Sequence, residues 1–155
     1  MKKLLFSTLI LLLTSSVYSQ NYELYQYADD LGGFVIHLDE GKQSGTMVVL
    51  KDLDKAANFS EGAEIIWNNV NSLVEDTRYY RLPTSGELKK IQKIHNNVNT
   101  RAKLGLKNAR YWGTDGNMFS YACQLDVKTG RVIDETVFGS NPSKAAAYVR
   151  LVNDF

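Results

Sequence analysis

The chain has one cysteine, two prolines and two histidines. With Cys123 alone no internal disulfide can form, so stability must come from packing. His37 and His95 lie far apart, and no histidine pair has metal-ligand spacing. There is no P-loop, no nucleophile elbow and no metalloprotease helix motif. Asp134 and Glu135 are chain neighbours in a segment of β character, where adjacent side chains face opposite ways. That argues against a hydrolase pair. These absences leave no catalytic residue, no metal site and no cofactor to expect.

Acid is missing from a second place. The formal net charge is only +1, which gives no reason to expect a nucleic-acid partner. Its distribution is uneven, because the stretch before Leu88 is rich in carboxylates and Leu88 to Thr114 has none. That acid-free window holds Lys89, Lys90, Lys93, Arg101, Lys103, Lys107 and Arg110, a candidate patch for an anionic partner. The simpler reading is a basic face lying against the acidic one.

Long apolar runs are also scarce. Leu4 to Leu13 is apolar apart from Ser7 and Thr8, follows Lys2 and Lys3, and precedes the small polar stretch Thr14 to Ser19. It is too short to span a bilayer and reads as a secretory signal over residues 1–19, cleaved after Ser19. The expectation is a single exported domain over residues 20–155, periplasmic or extracellular, with no membrane span after cleavage.

Periodicity supplies the elements. Phe34 to Leu38 and Thr46 to Leu50 read as two strands joined by a glycine-containing turn. From Ser60 the period becomes helical, with Ala63, Ile66, Trp67, Val70, Leu73 and Val74 on one face and Ser60 as a cap. Pro83 stops any preceding helix, and Thr84 with Glu87 forms a capping box. The helix that follows presents Leu88, Ile91, His95 and Val98 on one side. Asn99 to Ala109 reads as a loop. Tyr111-Trp112 starts a strand, Asp115-Gly116-Asn117 is a turn, and Met118 to Val127 alternates as a strand with Cys123 facing the core. Lys128-Thr129-Gly130 turns the chain into β-like Arg131 to Phe138, and Ala145 to Val152 forms a final strand. Strands, two helices, then antiparallel strands define an α+β fold.

Several words in this order are shared with a known family. Gly32-Gly33-Phe34-Val35-Ile36-His37-Leu38-Asp39 opens it, and Tyr80-Arg81-Leu82-Pro83-Thr84-Ser85-Gly86-Glu87-Leu88 carries its most specific motif. Tyr111-Trp112-Gly113-Thr114 and Val149-Arg150-Leu151-Val152 follow. The chain thus resembles the Lcl C-terminal domain family, also called domain of unknown function 1566, over nearly all of residues 20–155. The resemblance implies a C-type-lectin-like fold, two helices on a twisted antiparallel sheet, shared with formylglycine-generating-type domains. Members are mostly exported or surface proteins, some adhesin-like.

A formylglycine-generating enzyme needs two cysteines for copper, and this chain has one. The calcium-binding words of a lectin have only partial echoes in Ser140-Asn141-Pro142 and Val152-Asn153-Asp154, and Phe119 breaks an EF-hand reading of the Asp115 loop. In lectin-like folds the ligand face comes from loops among the late strands. Here that implies Asp115, Asn117, Asp134, Glu135 and Asn141, with Trp112 as a stacking platform or, the preferred reading, a core tryptophan. The functional expectation is a non-enzymatic recognition domain that binds a glycan or a surface protein, an anionic polysaccharide being one ligand class. The alternative is a structural or assembly component of the cell envelope with a protein partner.

Overall fold

The strand that comes last in the chain sits at the centre of the sheet. In the computed structural model, which describes residues 21–56, 58–59, 61, 64, 79–114, 121–136 and 146–155, this is β8 (Ala147–Asp154). On one side it pairs antiparallel with β3 (Gly45–Ala56), from Thr46↔Asp154 to Ala56↔Ala147. On its other side lie β4 (Tyr79–Arg81), antiparallel through Arg81↔Val152, and β5 (Arg110–Thr114), parallel at Tyr111↔Tyr148. Outward from β3 come β2 (Gly33–Leu38) and β1 (Tyr27–Ala28), and outward from β5 come β6 (Tyr121–Asp126) and β7 (Arg131–Thr136). The eight-stranded order is β1-β2-β3-β8-β5-β6-β7 with β4 beside β8, antiparallel except at β5–β8.

β8 is buried on both faces. Ala147, Val149 and Leu151 join Phe59, Leu82, Trp112 and Ala122 in one core cluster. Val152 joins the other, with Phe34, Ile36, Val48, Leu88, Ile91 and Leu104 among its members. Alternation along the strand explains this division.

Two helices are defined among the described residues. α1 (Ser85–Asn96) starts at the expected capping box, with Thr84 Oγ1 accepting from the Glu87 N–H at 3.2 Å and Glu87 Oε2 accepting from the Thr84 N–H at 2.7 Å. Its Leu88, Ile91 and Ile94 are buried against the sheet. α2 (Val98–Leu104) occupies most of the segment expected to be a loop. Asn97 initiates it, its Oδ1 accepting from the Asn99 N–H at 2.9 Å, and Gly105 ends it at φ 64°. Such a left-handed turn suits a residue without Cβ. α2 also closes α1, since Thr100 Oγ1 donates to Ile94 O at 2.6 Å and Arg101 Nε to His95 O at 2.8 Å. Because α1 ends at Asn96, Val98 leaves the apolar face assigned to it and stands 80% exposed.

The earlier helix falls mostly outside the described residues, Trp67 included. Of the residues near its expected start, Phe59, Glu61 and Glu64 have helical backbone. Asn58 Oδ1 accepts from the Glu61 N–H at 2.9 Å, so Asn58 takes the capping position expected at Ser60. Tyr79 to Arg81 pairs with β8.

Candidate ligand-binding cleft

The most specific sequence word builds a structural bracket. Arg81 meets Glu87 through two parallel bonds, Nη1 to Oε2 and Nη2 to Oε1, each 2.8 Å. The same guanidinium reaches Asp154 on β8, Nε to Oδ2 at 3.1 Å and Nη2 to Oδ1 at 3.0 Å, and Thr46 Oγ1 donates to Asp154 Oδ1 at 2.8 Å. One arginine therefore ties β4, the start of α1 and β8 together, with the bidentate geometry that makes such pairs strong. Burial alone would raise the Glu87 pKa, but Arg81 and the Thr84 N–H more than offset it and hold it below the ordinary value. Asp154 is held low in the same way, burial opposing and Arg81 and Thr46 prevailing.

Gly113 explains part of the second word. A Cβ there would lie 2.6 Å from Leu88 Cδ1, 2.7 Å from Pro83 O and 2.9 Å from Cys123 Sγ. Its neighbour's amide, Thr114 N–H, donates to Pro83 O at 2.9 Å, so β5 passes directly under the start of α1.

The arginine of the last word, Arg150, is only 2% exposed. Its Nε donates to Asp52 Oδ1 at 2.7 Å, and Nη1 donates to Val49 O at 3.0 Å and Leu104 O at 2.9 Å. It thereby satisfies a terminal carbonyl of α2 from inside the sheet. Tyr111 donates its hydroxyl to Asp52 Oδ2 at 3.2 Å and accepts from the Lys107 N–H at 2.8 Å. Burial foremost, with Asp52 adding, pushes its pKa up to about 12.

Of the expected ligand residues, Trp112, Asp134 and Glu135 are among those described. Trp112 is 1% exposed and packs edge-on against Phe59 at 5.5 Å, so it is a core residue and offers no stacking face. Asp115, Asn117 and Asn141 lie outside the described residues. Asp134 and Glu135 occupy adjacent positions of β7, opposite Cys123 and Ala122.

Among the described residues, the basic window meets the acidic stretch at Lys107 and Asp52 and meets tyrosines elsewhere. Lys93 Nζ lies 4.1 Å above the Tyr25 ring and Lys103 Nζ 3.1 Å above the Tyr27 ring, so these lysines clamp the segment leading into β2 by cation–π contact. Lys107 Nζ sits 3.9 Å above the Tyr148 ring and 3.5 Å from Asp52 Oδ2. Arg110 Nη1 donates to Gln124 Oε1 at 3.3 Å. Lys89 is exposed and Lys90 half-buried.

One member of that window, Arg101, belongs to a cleft that sequence reasoning missed. The cleft encloses about 510 Å³ between the C-terminal half of α1, the segment after α2 and the β6–β7 turn. Gln92, His95, Asn96, Arg101, Asn108 and Lys128 supply its polar lining, with Leu106 and Val127 as apolar wall. The turn is held by Asp126, whose Oδ1 accepts from the Lys128 and Thr129 N–H groups at 3.0 and 3.2 Å.

Two buried atoms beside this cleft have no hydrogen-bond partner, Gln92 Oε1 and His95 Nδ1. Gln92 is 7% exposed, and its Nε2 donates to Asn96 Oδ1 at 3.0 Å and more distantly to Val127 O at 3.4 Å, leaving the carbonyl alone. A buried acceptor without a donor costs about 1–3 kcal/mol. Burial, followed by repulsion from Arg101, lowers the His95 pKa and favours the neutral ring. The sequence carried one signal for the site. Gln92 stands four residues from Leu88 and one from Ile91, within the buried stripe of α1, where an apolar residue is the rule.

Compared with protein-family models and with curated proteins, the chain matches none, and the reading of this cleft rests on its geometry.

Proposed function

We propose that the chain is an exported, non-enzymatic recognition domain of C-type-lectin-like kind, allied to the Lcl C-terminal domain family, and that it binds a glycan. The observation carrying this reading is the polar cleft with unpaired buried atoms on α1. Sugar hydroxyls both donate and accept, and the cleft offers amides and an imidazole that do both and cations that donate. Its volume falls within the roughly 300–1,000 Å³ usual for small-ligand sites.

The test is a glycan array probed with the exported chain, residues 20–155, in calcium and in chelator. Selective binding in both conditions is the expected result. Binding lost in chelator would assign the recognition to a calcium site instead. No binding in either would turn the reading toward an envelope assembly component, to be sought as a stable protein partner.

A further inference from the structure

The cleft carries charge of one sign. Arg101 and Lys128 line it, and none of its lining residues is acidic. Asp126, on the turn beneath Lys128, has Oδ1 engaged by two backbone N–H groups of that turn. Arg101 is anchored through Nε on His95 O at 2.8 Å, which leaves its two terminal nitrogens as a donor pair. A planar fork of this kind matches a carboxylate. Beneath lies the Gln92 carbonyl, unpaired and out of solvent contact. Its terminal torsion is soft, which lets the amide adjust toward a donor in the cleft at the expense of the longer Nε2 bond to Val127 O.

We propose that this cleft seats a uronic-acid unit of an anionic polysaccharide. The sugar carboxylate meets Arg101 and Lys128, and a ring hydroxyl donates to Gln92 Oε1. The assignment rests on the glycan reading above and names its ligand class and its residues. Ligand binding relieves a polar group that the free protein leaves unsatisfied, and affinity falls as added salt screens the two cations.

The experiment is calorimetric titration of residues 20–155 with an oligogalacturonate and with its methyl ester, which keeps the ring and removes the charge. The acid is expected to bind, with the ester about tenfold weaker or worse. Arg101→Gln, Lys128→Gln and Gln92→Met are each expected to weaken acid binding about tenfold while melting near the parent temperature. Lys89→Gln, outside the cleft, is expected to change nothing. Equal binding of acid and ester overturns the carboxylate assignment. Parent-like binding by all three cleft variants overturns the site while leaving glycan recognition standing. Binding of no glycan on the array removes the functional reading itself, and this inference with it.

Discussion

The two ends of α1 hold polar side chains at comparable depth and treat them in opposite ways. At the first turn, Glu87 is buried and its carboxylate oxygens together accept from Arg81 and from the Thr84 N–H. Toward the last turn, Gln92 is buried just as well and its carbonyl accepts from nothing. Low dielectric strengthens a satisfied polar group and penalises an orphaned one. The first end therefore works as architecture. The second is where a donor from outside the chain has something to gain.

Mutations separate the two kinds of site. The largest loss is expected from Asp52→Ala, which strands the buried Arg150 guanidinium. Breaking such a pair costs about 3–5 kcal/mol, read as a lower urea midpoint. Glu87→Ala removes a cap and half of an ion pair whose arginine is partly exposed, so its cost is smaller, about 2 kcal/mol. Gly113→Ala forces a methyl against Leu88 and the Pro83 carbonyl and is expected to cost about 1–3 kcal/mol by the same measurement. Gln92→Met should sit at the bottom of the series, within about 1 kcal/mol of the parent, since it deletes an unpaired oxygen along with two donated bonds. A large loss from that last change would erase the contrast between the two ends.

Acid should separate them as well. Glu87 and Asp154 have folded pKa values below their unfolded ones, so their contribution is present above the ordinary carboxylate range near pH 4 and is lost as pH falls beneath it. His95, also depressed, contributes above its unfolded value of about 6.5 and loses that contribution as pH falls toward its folded value. Stability measured against pH is therefore expected to fall in two stages. His95→Asn should remove the upper stage and Glu87→Gln should blunt the lower.

What the sequence made legible was what is local. The capping box of Thr84 and Glu87 is a pattern within four residues, and the β6–β7 hairpin has a turn word between alternating runs. α2 was hidden because a seven-residue helix with only Leu104 buried has no periodicity to show, and its cap, Asn97, reads as loop chemistry. Arg150 was hidden because an arginine in an alternating strand marks a solvent face by default. Only the return of β8 between β3 and β5 buries that face. The cleft needed three segments distant in sequence, and its one local sign was a glutamine in an apolar stripe. Trp112 shows the reverse case, its preferred reading as a core tryptophan agreeing with its burial against Phe59.

The place of β8 bears on how the chain is made. β1, β2 and β3 form one antiparallel run, β5, β6 and β7 another, and in the strand order only β8 joins them. Until Ala147 to Asp154 has been synthesised, the two runs have open edges facing the gap between them and no stable sheet to belong to. Closing the sheet therefore depends on long-range pairing of β8 with β3 and β5. The strand that organises the finished sheet thus also sets when that sheet can close.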